Sequence, residues 1–333
     1  MKTKEKLAGY IKAGNGLVIL RTHEEIRAEA MLKDIASEQK SMLLTWSATK
    51  GLVEVTQGKP PRILPGFNDP EKLLAGLDGM EGPFVLVALD FHEFTKSPLL
   101  KRRLRDTGRA FRSSGDRAIV FVSAAFKPPI ELAKEMVVID MDLPDQEVLL
   151  GVVNDIATNN TENISKEDAK DFSSLLRGMT TQEAENALAL SLAVRGSFDR
   201  DMLQEVKADA IAKDGILRTI DPEKFPDVGG AEVLKEWVSR RGTAFSDKAR
   251  SYGLDMPKGV LVVGFPGTGK SLFFPYICKL LRLKGYVFDV GACFGGVVGE
   301  TEANVRFALQ RLESGSPCGV LIDEIEKSLA GVG

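Results

Sequence analysis

Residues 259–274, GVLVVGFPGTGKSLFF, constrain this chain more than any other stretch. The four apolar residues 260–263 predict a short, fully buried parallel strand, and the residues from Lys270 onward predict a helix. Between them stand Gly264, Phe265, Pro266, Gly267, Thr268, Gly269, Lys270 and Ser271, which match G-x-x-x-x-G-K-[ST]. Glycines are needed there because backbone N–H groups must turn inward around phosphate oxygens where side chains would clash. The helix then aims the positive end of its dipole at the anion. The spacing predicts a phosphate cradle of residues 264–272, closed by Leu272, in which Lys270 reaches the β- and γ-phosphates and Ser271 ligates Mg2+. ATP with magnesium is the expected ligand.

A second segment, CGVLIDEIEKSL at 318–329, carries the complement. Val320, Leu321 and Ile322 predict another buried strand, which ends in Asp323 and Glu324. At the carboxyl end of a parallel strand an acidic pair lies beside the loop of a doubly wound sheet. Asp323 is placed to hold hydrated magnesium, and Glu324 to orient and deprotonate an attacking water. Lys270 and Glu324 are therefore the candidate catalytic residues, with Ser271 and Asp323 the candidate metal ligands.

Four segments in order resemble the AAA ATPase family: DVGGAEVLKEW at 227–237, the loop above, GGVVGETEANVR at 295–306, and VLIDEIEK at 320–327. The resemblance covers about the last third of the chain. With RRGTAFSDKARSYGL at 240–254 and FGGVVGE at 294–300, it is nearest to the uncharacterised AAA ATPases of cyanobacteria and chloroplasts. It implies that Val228 and Gly229 line the adenine pocket. It also implies a homo-oligomeric ring, a hexamer, that couples ATP hydrolysis to remodelling a macromolecule. Three departures stand out. Pro275 falls inside the helix after the loop, where a missing N–H predicts a kink. Val297 stands where threading members carry an aromatic residue. The chain also ends at Gly333, without a later sensor strand, arginine finger or lid, which reads as truncation or as slow turnover.

The first two thirds repeat the α/β grammar without the chemistry. Apolar runs at 17–20, 42–44, 84–89, 118–122 and 137–139 predict strands, with helices from HEEIRAEAMLKDIA (apolar at Ile26, Ala30 and Leu32) and LLKRRLRDTGRAF between them. Where a phosphate loop would follow the first strand stands RTHEE, whose Glu24 and Glu25 would satisfy the helix dipole and repel phosphate. From Pro144 the pattern turns helical, with capping pairs Ser165–Asp168 and Thr180–Glu183. GMTTQEAENALALSLA resembles the helical lid of an AAA module. The fold expected is α/β with doubly wound parallel sheets. Residues 1–143 form a degenerate loop-less α/β domain, 144–215 a helical lid-like segment joined by a proline-broken linker, and 216–333 the truncated AAA core.

Composition sets outer bounds. The net charge of −3 at pH 7 argues against a protein that mainly coats nucleic acid or anionic membranes. The three cysteines have no metal-ligand spacing and suit a reducing compartment, and only two histidines are present. No apolar run is long enough for a membrane span, so the expectation is cytoplasmic. Residues 95–117 hold eight basic residues against two acidic ones, a solvated basic face or a docking surface. Three functions stay open: an ATPase remodelling a partner, protein before nucleic acid; a nucleotide-dependent assembly switch; and a DNA-associated loader.

Overall fold

The computed structural model describes all residues except 1, 57, 161, 163, 214, 246, 256–257, 266, 294–297 and 324–333. The chain divides into two units, Met1–Asp142 and Leu143–Gly333.

In the first unit the order is α1 (Thr3–Lys12), β1 (Leu17–Arg21), α2 (Glu25–Glu38), β2 (Met42–Ser47), β3 (Gly51–Val55), β4 (Arg62–Leu64), α3 (Pro70–Leu77), β5 (Phe84–Leu89), α4 (Pro98–Ser114), β6 (Arg117–Val122) and β7 (Val137–Asp140). They build one sheet in the order β4-β3-β2-β5-β6-β1-β7. The strands from β2 to β7 in that order pair in parallel, and β3 and β4 join antiparallel at one edge. Successive side chains of a strand face opposite ways, so β1 splits its apolar residues between two cores. Leu17 and Ile19 pack with α3 and α4, while Val18 and Leu20 pack with α1 and α2. Both faces are covered, which is why these strands read as continuous apolar runs.

Two expectations change here. The β3–β4 hairpin adds two strands that no apolar run marks, because Gly51–Val55 and Arg62–Leu64 are short and partly polar and sit at an edge. The buried face of α2 is Ala28, Leu32, Ile35 and Ala36, whereas Ile26 is 84% exposed and Ala30 also faces solvent. Ala28 in the first turn is buried, and Ile26, two residues before it, lies on the opposite face of the helix.

The second unit opens with α5 (Gln146–Asn159), α6 (Lys166–Leu175), α7 (Thr181–Arg195) and α8 (Arg200–Ala212). Leu149, Val153, Leu176, Met179, Leu188 and Leu203 fill the centre of this bundle. Ser165 caps α6 through the N–H of Asp168 at 3.0 Å. Thr180 and Glu183 form a full capping box on α7, at 3.1 and 2.9 Å. Then follow β8 (Leu217–Ile220), α9 (Glu232–Gly242), α10 (Asp247–Ser251), α11 (Lys270–Leu281), β9 (Lys284–Phe288), α12 (Val298–Ser314) and β10 (Cys318–Ile322). The second sheet runs β10-β9-β8, with β10 parallel and β8 antiparallel to β9. The proline-broken linker thus supplies a strand, since Leu217–Ile220 precedes both prolines and can donate to the ladder.

The expected strand at 260–263 does not form. Leu261 and Val263 are 80% and 84% exposed, and no described strand runs beside the segment. An apolar run becomes a strand only where neighbours satisfy its backbone groups. β10 does form, but Val320 and Ile322 stay exposed because β9 is its only described neighbour. The helix α11 runs through Pro275, which is buried beside Phe273 and Cys278.

The bundle is fastened to the sheet by a charged clasp. Arg311 of α12, 3% exposed, donates to the carbonyl of Gly178 at 3.1 Å and to Glu183 Oε1 at 2.6 Å. Its guanidinium also lies 4.5 Å from the Phe307 ring centroid. Glu183 therefore caps α7 with one oxygen and neutralises a buried cation with the other. Glu183→Ala should lower the unfolding free energy of the chain by about 3–5 kcal/mol, because it leaves a buried charge without its partner. Chemical denaturation followed by far-UV circular dichroism measures this.

Candidate functional site

The glycine loop and α11 form one device. Gly267 and Gly269 adopt φ of +80° and +79°, a left-handed conformation that costs other residues roughly 1–2 kcal/mol. Thr268 tightens the turn by donating its N–H and its hydroxyl to the Phe265 carbonyl, at 3.4 and 2.8 Å. A Cβ on Gly264 would lie 3.3 Å from that hydroxyl. Helix α11 then starts at Lys270, with the Leu272 N–H bonded to the Gly269 carbonyl at 3.1 Å. Leu272 and Phe265 face solvent.

Lys270 Nζ donates to the carbonyls of Gly264 at 2.9 Å and Phe265 at 2.8 Å, so its charge lies over the rim of the loop. One residue on, the Ser271 hydroxyl donates to Asp323 Oδ2 at 3.1 Å, across 52 positions of sequence. The strand β10 delivers Asp323 to the N-terminus of α11, as expected from the two motifs. A hydroxyl and a carboxylate at this spacing suit Mg2+, a hard cation that takes one or two protein oxygens and completes its shell with water and phosphate. Among the described residues no group of three or more His, Cys, Asp or Glu could hold a metal by itself. Pro266 and Glu324 lie outside the described residues, as does Val297.

Val228 is half-buried and Gly229 exposed, in a loop that turns sharply through left-handed Gly230 and Ala231 into α9. Lys279 of α11 anchors this loop, lying 3.3 Å from Asp227 and 3.4 Å from Glu223. These carboxylates raise the Lys279 ammonium above its usual range, the Asp227 hydrogen bond first. Lys235 of α9 adds a second tie, 5.5 Å from the Tyr276 ring centroid. Sequence reasoning missed Lys279, because a pairing across 52 residues leaves no local pattern.

The first unit lacks this device. The connections leaving β1 and β6 diverge at adjacent strand ends, where doubly wound sheets bind ligands. Glu24 is buried there, 2.8 Å from Arg27, with its N–H on the Thr22 hydroxyl at 3.0 Å. Burial, then Asp90 and Glu29, push the Glu25 carboxyl above its usual range. Asp90 itself holds φ of +51° at the end of β5. Carboxylates fill the position that a phosphate cradle would require.

The basic helix α4 is largely neutralised within its own unit. Lys101 pairs with Glu131, Arg102 with Asp106, Arg103 with Asp78, and both Arg105 and Arg109 with Glu135.

A glycine loop with its lysine, opening a helix whose serine bonds a strand-end aspartate, in an α/β unit, defines a P-loop protein. The chain belongs to the AAA ATPase family: residues 260–332 match the model of the ATPase family associated with various cellular activities, and residues 3–141 that of the SpoVK-like AAA ATPase N-terminal domain. The chain is 29% identical over 328 residues to the uncharacterized AAA domain-containing protein ycf46 of Guillardia theta, covering 96% of this chain and 64% of that protein. With the protein of the same name from Trieres chinensis it shares 26% over 339 residues, 99% and 67% of the two chains. Over 104 residues it is 34% identical to the ATP-dependent zinc metalloprotease FtsH of Heterosigma akashiwo, 31% of this chain and 16% of that one. It spans about two thirds of the length of the ycf46 proteins. No helix among the described residues is long and apolar enough to cross a membrane.

The raised Glu25 carboxyl carries a prediction. A carboxyl whose folded pKa lies above its unfolded one destabilises the fold when ionised, so its cost grows as pH rises through the carboxylate range. Glu25→Gln should stabilise the chain at pH 7 by less than about 1 kcal/mol, since the group is largely solvated. The gain should vanish near pH 4, and thermal unfolding at the two pH values checks it.

Proposed function

We propose that this chain binds ATP with magnesium and hydrolyses it, and that the cycle remodels a macromolecular partner, a protein rather than a nucleic acid, recruited by residues 1–142. The Ser271–Asp323 hydrogen bond, beside the loop that carries Lys270, is the observation that bears most weight. It unites the two motifs in one place.

In this reading the N–H groups of residues 264–272 cradle the phosphates, and Lys270 exchanges its two carbonyl acceptors for β- and γ-phosphate oxygens. That exchange costs little, because the ammonium swaps neutral acceptors for charged ones. Ser271 and Asp323 would hold Mg2+, which neutralises charge on the phosphates when bound. Val228 and Gly229 would line the adenine, held in place through Lys279. Glu324, next after Asp323, takes a proton from water as its oxygen bonds the γ-phosphorus. The bond to the β–γ bridging oxygen breaks, and ADP and phosphate leave.

Membership of the AAA family supports a homo-oligomeric ring, a hexamer, and the reading is of a cytoplasmic protein. The pairing of α4 cations inside their own unit favours a protein partner over DNA, because nucleic-acid affinity rests on cations free to neutralise phosphates.

Binding and turnover of MgATP by the chain test the proposal. Lys270→Ala should weaken binding about tenfold or more, and Glu324→Gln should keep binding while turnover falls at least about a hundredfold. Unchanged binding by Lys270→Ala removes the site assignment. Full turnover by Glu324→Gln removes the water-activating role.

A further inference from the structure

Ser271 and Asp323 meet at one end of a longer contact between α11 and β10, and the other end is built on glycine. Ser271, Phe274 and Cys278 stand at i, i+3 and i+7, so they share one face of α11. Gly319, Leu321 and Asp323 alternate with Val320 and Ile322, so they share one face of the strand line. The helix lies against that face. A Cβ on Gly319 would stand 2.7 Å from the Cys278 thiol and 3.3 Å from the Phe274 ring. Ser271 and Cys278 are separated by about 10 Å of helix, and Gly319 and Asp323 by about 13 Å of strand. The two spans match, with helix and strand running in opposite directions. Helix α11 therefore rests on β10 at two points: thiol on glycine, and hydroxyl on carboxylate at 3.1 Å.

The first point has no slack. Gly319 pairs with Gly285 across the β10–β9 ladder, so two residues without side chains lie side by side under the helix. Ile220 of β8 fills the space over Gly285, where a Cβ would come within 2.5 Å of it. The Cys278 thiol fills the space over Gly319, and Cys278 is 0% exposed. Non-bonded heavy atoms sit best at roughly 3.5–4.0 Å, so a methyl group at position 319 is short of room by about 1 Å. The thiol is fully enclosed and turns on a single bond, so that room comes from moving α11. The second point cannot absorb the shift. Mg2+ demands near-ideal octahedral geometry, and the groups of such a site must be held within about 0.5 Å.

We propose that Gly319, with Gly285 beside it and the Cys278 thiol seated on it, sets where α11 lies over β10 and so positions Ser271 against Asp323. The inference rests on the reading of those two residues as the place where Mg2+ is held. The glycine loop and Lys270 travel with the helix, whereas Asp323 stays with the sheet. A displaced α11 therefore keeps its phosphate cradle and loses the cation site that helix and strand share.

ATP affinity with and without Mg2+ tests this in the full chain, as wild type, Gly319→Ala and Gly319→Ala/Cys278→Ala. Without Mg2+ the three should agree within about twofold, since each keeps the cradle. Mg2+ should tighten binding to the wild type by about tenfold or more, and Gly319→Ala should lose most of that gain. Removing the thiol should restore it, because the methyl group then occupies the space the sulfur leaves. No magnesium gain in the wild type overturns the reading of the site itself. A full gain in Gly319→Ala overturns the positioning role alone, and so does a double variant no better than Gly319→Ala. Equal weakening with and without Mg2+ also overturns it, since a merely loosened fold gives that result. If Gly319→Ala does not fold, Cys278→Val crowds the same gap from the helix side. Loss of the magnesium gain there supports the proposal, and a wild-type gain overturns it.

Discussion

The hydrogen bond from Ser271 to Asp323 is the contact on which the account of the second unit rests. It closes 52 residues of chain and brings the end of β10 to the start of α11, joining the two oxygens that the proposed function assigns to a cation. Glycines at positive φ make the loop before it possible, and Lys270 lies over the loop rim. Ties at the far end of α11 do a second job. Lys279 and Lys235 hold the segment from Glu223 to α9 against that helix, so one helix organises both the phosphate end and the segment at Val228 and Gly229.

Much of this was legible in the sequence because the chemistry is local. The spacing of Gly264, Gly269, Lys270 and Ser271 is a contiguous pattern, and Asp323 follows directly on an apolar run. The strands of the first unit were readable because both sheet faces are covered, which leaves unbroken apolar runs at 17–20 and 84–89. Capping at Thr180 and Glu183 was readable for the same reason, since the cap spans three residues.

What the sequence hid depends on distant partners. Val260 to Val263 have the composition of a buried strand, yet backbone pairing decides whether a strand exists, and no described strand lies beside them. Residues 217–220 looked like linker and became a strand because β9 offered an edge. Ile26 is apolar, yet the buried face of α2 is set by Ala28, Leu32, Ile35 and Ala36, and Ile26 falls on the other side. The second role of Glu183, holding Arg311 128 positions away, could not be read from the capping pattern that exposed its first.

The two units carry opposite electrostatics. In the first, Glu24, Glu25 and Asp90 follow the ends of β1 and β5; in the second, the glycine loop and Lys270 stand at the start of α11. The measurement that tests the central claim most directly is the affinity for ATP with and without Mg2+, in the wild type and in Asp323→Asn. The account predicts that Mg2+ tightens ATP binding to the wild type by about tenfold or more, and that Asp323→Asn loses most of that gain. An equal magnesium effect in both proteins would contradict the assignment of Ser271 and Asp323 as the place where the metal and the phosphates meet.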